Sequence, residues 1–312
     1  MSDPVLVVED LQKTFKIGFA RKLVRAVRGI SFQVEPGTIF GFLGPNGAGK
    51  TTTMKMCMDL IRPTAGRIRL FGSPPGSMSA RTRIGYLPEQ PYFYDYLKPT
   101  ELLDFFGRLY NVPRSVRRKR IDELMERVGL DHARERTLRK FSKGMLQRIG
   151  LAQALIGNPD LVVLDEPLSG LDPIGRKELK DVIVSLRQKG KTVFFSSHIL
   201  ADIELLCDQM AIIDKGVMRF FGPTSEFTRQ GHKEVEIVAS AVPQDKKEAI
   251  VRLAESVEDF GPRMKLLTTR ERTGEAVAAL VAAGASVDAV IPRSESLEEI
   301  FVRTAGEGGG KS

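Results

Sequence analysis

Three short stretches have the residue types, in the order, that would hold and cleave a phosphate anhydride. Gly44-Pro45-Asn46-Gly47-Ala48-Gly49-Lys50-Thr51 fits the pattern GxxxxGK[ST]. Glycines there let backbone N–H groups close around phosphate oxygens, the lysine reaches the terminal phosphates, and the final hydroxyl ligates Mg2+. The implied ligand is a nucleoside triphosphate, contacted by Gly44 through Thr52, with Lys50 as the catalytic cation and Thr51 as a metal ligand. The rival reading is a glycine-rich turn. Further along, Asp165-Glu166 ends the apolar run Leu161–Leu164. An acid at a strand end suits Mg2+ through its water shell, and Glu166 beside it is placed to orient or deprotonate the attacking water. A solvated acidic turn is the bland alternative. His198, after Thr192–Ser196, stands where it would donate to the γ-phosphate and hold the water in line.

These side chains need buried strands to bring them to one edge. Thr38–Leu43 reads as a short buried strand entering the glycine loop, and Thr51–Met58 as the helix leaving it. A helix N-terminus carries about half a positive charge and unpaired N–H groups, which favours an anion. Leu161–Leu164, bounded by Asn158-Pro159-Asp160 and Pro167, reads as a buried parallel strand. Residues from about Val5 to Tyr86 look strand-rich. From about Pro99 to Gly157 the pattern is helical, with helical character expected over Pro91–Tyr110 as well. The core then resumes with a helix over Arg176–Lys189, the strand Thr192–Ser196, and the pair Met210–Asp214 and Val217–Phe221 around Lys215-Gly216. Strand–helix alternation of this kind predicts a largely parallel, covered sheet with a helix-rich insert.

Beyond about residue 232 a second domain is expected. Lys233–Ala239 reads as a strand, Gln244–Ser256 as a helix, Met264–Thr268 as a strand, Gly274–Ala283 as a helix, Val287–Ile291 as a strand and Leu297–Arg303 as a closing helix. That order suggests a small α/β sandwich of ferredoxin-like type. Residues 306–312 read as a disordered tail. The expected division is 1–230 and 231–305, with the helical insert at about 90–158.

Composition is that of an ordinary globular chain: 312 residues, 42% hydrophobic and 28% charged. Met1-Ser2-Asp3-Pro4 lacks a basic segment ahead of a long apolar one, so no signal peptide is expected. The longest apolar stretch, Ala276–Ala285, is short of the roughly 20 residues of a membrane span. Cys57 and Cys207 have no metal-ligand spacing and read as packing residues. His132 and His232 read as structural or exposed. A net charge of +8 raises nucleic acid or an anionic surface as a partner. Yet the densest run, Arg114–Arg120, precedes the helical pattern Ile121, Leu124, Met125, Val128, which turns its charges to water. No nucleic acid is therefore expected.

Gly44–Thr52, Phe141-Ser142-Lys143-Gly144-Met145, Leu161–Pro167, Ser169-Gly170-Leu171-Asp172 and Ser197-His198 stand in the order and approximate spacing found in the nucleotide-binding subunits of ABC transporters. The chain resembles that family over about residues 5 to 225, and its FSKGM wording and C-terminal segment are similar to the ATPases of ABC-2 type exporters. The resemblance implies a P-loop NTPase (RecA-like) core with an antiparallel β subdomain and a helical subdomain, ATP and Mg2+ as ligands, and a homodimer. It also implies membrane permease subunits as partners, at the cytoplasmic face of the cell membrane.

Ser142, an N-cap opening a helix, and Gly144 would meet the γ-phosphate of ATP held by the opposite monomer, although a capped helix is the plain reading. Lys143 and Met145 depart from the family's glycine and glutamine. Asp172 joins the nucleotide-binding set by the same resemblance. Phe15 resembles the aromatic that stacks on adenine, with core packing as the rival. The family's loop glutamine falls on Glu89, assigned here to the metal side, with Gln90 next to it. A soluble ABC-type machine acting on nucleic acid, or in immunity or regulation, is the alternative. Such proteins usually carry two cassettes or a long coiled-coil insertion, and neither is visible here.

Overall fold

The computed structural model describes residues 3–18, 22–231 and 234–292. The chain divides into two compact units between Thr224 and Ser225. The first unit opens with β1 (Leu6–Ile17), β2 (Lys22–Val34), β3 (Ile39–Leu43), α1 (Lys50–Cys57), β4 (Ala65–Leu70), α2 (Met78–Arg81) and β5 (Ile84–Leu87). A helical stretch follows, α3 (Pro99–Leu109), α4 (Arg114–Arg127) and α5 (Lys143–Leu155). The chain then returns to β6 (Leu161–Leu164), α6 (Pro173–Gln188), β7 (Thr192–Ser197), α7 (Leu200–Leu206), β8 (Gln209–Asp214) and β9 (Val217–Pro223), with α8 (Thr224–Gly231) starting at the boundary.

Six strands form one sheet in the order β5-β6-β7-β3-β8-β9, parallel except for the hairpin partner β9. Every residue of β3, β6 and β7 is buried, as expected for strands covered on both faces. A second, antiparallel sheet runs β2-β1-β4. The two are joined by rings: Phe32 of β2 stacks on Phe40 and Phe42 of β3 at centroid distances of 5.5 and 5.6 Å, and Phe194 of β7 meets all three within 5.8 Å. Such pairs contribute about 0.5–1.5 kcal/mol each beyond their burial. They fix the level of β3, whose end carries the glycine loop.

Helix α3 begins at Pro99, where the missing N–H costs nothing, and Glu101 accepts from the Lys98 N–H at 2.8 Å. The helical reading of Pro91–Tyr110 is thereby corrected at its front. Residues 91–98 are a non-helical loop, and it carries Tyr92, Tyr94 and Tyr96 in solvent.

The second unit is β10 (Glu234–Ser240), α9 (Lys247–Val251), β11 (Ser256–Phe260), β12 (Arg263–Thr269), α10 (Thr273–Ala282) and β13 (Ser286–Pro292). Its antiparallel sheet runs β11-β12-β10-β13, the ferredoxin-like βαββαβ arrangement. Val235, Ile237, Met264 and Leu266 on the sheet pack with Ile250, Ala276 and Leu280 from the helices. The helix expected over Gln244–Ser256 is corrected. A 3-10 turn and α9 end by Val251, and Ser256–Phe260 pairs with β12. Ser256-Val257-Glu258-Asp259-Phe260 has little strand propensity of its own, and pairing with a buried neighbour decides its state. The expected closing helix Leu297–Arg303, residues 306–312 and His232 lie outside the described residues.

Gly85 shows how tightly the first unit is closed. A Cβ there would stand 2.0 Å from the Ala154 carbonyl oxygen of α5. Since the obstacle is backbone rather than a flexible side chain, Gly85→Ala is expected to cost about 3 kcal/mol. Thermal unfolding should show it as a drop of roughly 6–12 °C.

Candidate functional site

The loop 44–49 leaves the end of β3 and turns into α1. Gly49 makes that turn at φ 109°, and a Cβ on it would lie 2.6 Å from the Ala26 carbonyl oxygen. Both facts require glycine. The Gly44 N–H is held by the Ser197 carbonyl of the adjacent strand at 3.2 Å, and the Ala48 carbonyl accepts from the Gly216 N–H at 2.9 Å. The loop is thus tied to β7 and to the β8–β9 turn. A cleft of about 290 Å3 lies over it, lined by residues 45–52 with Ala26, Glu89 and Glu166. Helix α1 has no side-chain N-cap, so its first N–H groups face this cleft uncapped.

Lys50 is 5% exposed, and its ammonium must find acceptors. Nζ donates to the Gly44 and Pro45 carbonyls at 2.6 and 3.2 Å. Glu166 Oε1, which has no hydrogen bond of its own, lies 3.1 Å from the same Nζ. The other oxygen, Oε2, is 2.8 Å from Nδ1 of His198, whose side chain is 40% exposed. The carboxylate of Glu166 therefore stands between a buried cation and a histidine at the rim. Its backbone is left-handed, with φ 48°.

Asp165 is fully buried. Oδ1 accepts from the Ser196 hydroxyl at 2.7 Å, and Oδ2 has no hydrogen-bond partner. Burial holds its carboxyl above the ordinary aspartate range. The Ser196 hydrogen bond and the nearby Thr51 hydroxyl oppose that shift, and the nearby charges of Glu89 and Glu166 add to it. A divalent cation would relieve both the orphaned oxygen and the charge repulsion. The donors are one carboxylate oxygen and the Thr51 hydroxyl, and among the described residues no group of three or more His, Cys, Asp or Glu forms a metal cluster. That set fits Mg2+ carried in by phosphates rather than an all-protein cage.

Glu89 lines the cleft and Gln90 does not. Several other expected contacts lie outside the cleft of the same chain. Phe15 is half-buried on β1, with Lys13 Nζ 5.0 Å above its ring, and it does not line the cleft. Ser142 is exposed and caps α5, accepting from the Met145 N–H at 3.2 Å, with Gly144 in the first turn. Asp172 is exposed and caps α6 through the Gly175 N–H at 3.3 Å. Within one chain both caps serve their own helices, and neither Ser142 nor Asp172 lines the cleft.

Two residues went unnoticed in the sequence. Ser196 bridges the two acids, and its one signal is a polar pair closing an apolar strand. The Tyr86 hydroxyl is buried without a hydrogen-bond partner, and burial with the charges of Asp165 and Glu89 raises its pKa. Nothing in Ile84–Leu87 hints at that.

A family model described as "ABC transporter" matches residues 27–169. An uncharacterized ABC transporter ATP-binding protein of Nostoc sp. is 46% identical over 71% of this chain and 67% of its own length. The bacitracin transport ATP-binding protein BcrA of Bacillus licheniformis is 36% identical over 91% of this chain and 94% of its own. A Nod factor export ATP-binding protein of Ralstonia nicotianae is 34% identical over 98% and 95%. Among solved structures, an ATP-binding subunit of an ABC transporter superposes with a TM-score of 0.65 at 30% identity, over 72% of this chain and 92% of that one. With the loop, the acid pair and the histidine meeting at one sheet edge, these likenesses place the chain in the family of ABC transporter ATP-binding proteins, beside the ATPases of ABC-2 type exporters.

Proposed function

We propose that this chain is an ATP-binding and ATP-hydrolysing subunit that drives a separate membrane permease, of the exporter kind, from the cytoplasmic face of the cell membrane. The observation that carries the reading is the line Lys50, Glu166, His198, which runs from the floor of the cleft over the glycine loop out to a partly exposed histidine. The terminal phosphate of ATP competes with Glu166 for the Lys50 ammonium. Once released, the Glu166 carboxylate is free to take a proton from the attacking water, while His198 holds that water and the γ-phosphate in line. Thr51 and Asp165, with Glu89 beside them, would hold Mg2+, which neutralises charge developing on the phosphate oxygens when bound.

Ser142 and Gly144 present the uncommitted end of α5 to a second copy's nucleotide. One chain carries one set of motifs, so two copies related by a twofold axis complete two sites. ATP joins the copies and hydrolysis separates them, a population shift set by the difference in ATP affinity between the two states. Among the described residues no helix is long and apolar enough to cross a membrane, and the reading assigns the membrane path to another polypeptide. The loop 91–98 and α3 offer exposed Tyr92, Tyr94, Phe105 and Leu109 as the surface that grips it. The ferredoxin-like unit is assigned a regulatory or dimer-stabilising part.

Three outcomes test this. Glu166→Gln should lower ATP turnover by about 10²–10⁴-fold, because an amide can bond the water but cannot take its proton. Nucleotide binding should persist, and a closed dimer should accumulate in sedimentation with ATP. Turnover at the wild-type rate would mean the base is another residue. Replacing Tyr92 and Tyr94 together by Asp places unpaired carboxylates in a water-excluding contact. Copurification with the membrane fraction and permease-stimulated turnover should fall while basal ATPase activity stays near normal. Unchanged membrane association with loss of RNA or DNA binding would withdraw the permease reading. Finally, a chain ending at Gln230 should fold and bind ATP. A folded truncation that binds none would place part of the nucleotide site in the second unit.

A further inference from the structure

Ser196 is the next-to-last residue of β7, fully buried, and the register of β6 against β7 ends at Leu164 opposite Phe195. One step further along both strands, Ser196 comes level with Asp165. Its hydroxyl has one hydrogen to give and lone pairs to receive. The Glu166 backbone N–H can only donate, and it donates to Ser196 Oγ at 2.8 Å. The serine hydrogen then goes to Asp165 Oδ1 at 2.7 Å. One buried oxygen thus grips both members of the acid pair, one by its side chain and the other by its backbone.

Two consequences follow from that double grip. Fixing Oδ1 of Asp165 fixes the plane of the carboxylate, and this leaves the unpartnered Oδ2 as the oxygen free to meet a cation. Holding the Glu166 N–H pins a residue at φ 48°, a conformation non-glycine residues adopt only when their surroundings impose it. From that conformation the Glu166 side chain reaches both Lys50 and His198.

We propose that Ser196 is a positioning residue that aligns the Mg2+-binding carboxylate of Asp165 and the general base Glu166 through a single hydroxyl. The proposal rests on the reading of this site as an ATPase centre. It predicts that loss of the hydroxyl disturbs metal affinity and chemistry together, because one group supports both.

The test is a titration of nucleotide binding and of ATP turnover with MgCl2, using a fluorescent ATP analogue for binding. It compares the full-length wild type with Ser196→Ala, Ser196→Cys and Ser196→Thr, with thermal unfolding recorded for each. In Ser196→Ala the Mg2+ midpoint of binding should rise about 10–100-fold, the range for losing a group that orients a metal ligand. Its turnover at saturating Mg2+ should also fall. Ser196→Thr, which keeps the hydroxyl, should restore most of both. A serine that serves only the fold would lower the unfolding temperature and leave the Mg2+ midpoint where it was, and that result overturns the proposal. If Ser196→Ala does not fold, the midpoint is read on Ser196→Cys, whose thiol fills the space but bonds weakly. Failure of both to fold overturns the proposal as well. A wild type that binds nucleotide identically with and without Mg2+, or not at all, overturns the ATPase reading itself rather than the role of Ser196 alone.

Discussion

The ion pair between Lys50 and Glu166 sets the terms for the rest of the site. Both residues are less than a tenth exposed, and they meet at 3.1 Å. Removing one partner of such a buried pair costs about 3–5 kcal/mol, since the other charge is left uncompensated. The Gly44 and Pro45 carbonyls complete the acceptors of the ammonium, which requires the loop to curl back over its own helix. The same contact is the one that the proposed chemistry would have to break. A triphosphate brings more negative charge than a carboxylate, so in the proposed function its arrival would draw Lys50 away and leave Glu166 with His198 and a water.

Parallel pairing turns this contact into a site. Neighbouring strands lie about 4.8 Å apart, so residues at the ends of adjacent strands fall within side-chain reach. β3 ends in the glycine loop, β6 ends in Asp165-Glu166 and β7 ends in Ser196-Ser197-His198, with β7 lying between the other two. The Gly44 N–H bonded to the Ser197 carbonyl and the Ser196 hydroxyl bonded to Asp165 lock the three ends together. Behind them Phe32, Phe40, Phe42 and Phe194 fill the space between the sheets, so a shift of β3 or β7 would have to unpack an aromatic cluster.

The two helix caps outside the cleft give the proposed dimer its physical basis. Ser142 and Asp172 each spend a side-chain oxygen on their own helix. The remaining N–H groups at the start of α5 belong to an exposed turn. A positive helix end offered to solvent gains about 0.3–1 kcal/mol from a neighbouring anion, or about 2 when partly buried. That is too little to bind a nucleotide alone. In the proposed dimer it would be enough to report whether a nucleotide on another copy has arrived.

What the amino-acid order determined by itself was local chemistry and strand burial. The GxxxxGK[ST] run demands a tight loop before a helix, and the short apolar runs IFGFL, LVVL and TVFF, bounded by turn residues, read as covered strands. The ferredoxin-like order of the second unit was legible from period and turns, apart from Ser256–Phe260. That strand exists because β12 offers it an edge, and pairing of this kind leaves little trace in a five-residue window of which three, Ser256, Glu258 and Asp259, are polar. The start of α3 at Pro99 was legible as well, since a proline suits the first position of a helix, and it was the helical reading of residues 91–98 that overran this signal. Only the tertiary structure decided which strand ends meet. The Ser196 bridge between Asp165 and Glu166 and the Lys50–Glu166 pair join positions that are dozens of residues apart or more, and the Tyr86 hydroxyl is buried by neighbours equally remote in the chain. Their geometry depends on register and on the exclusion of water, and both are properties of the packed sheet rather than of any segment in it.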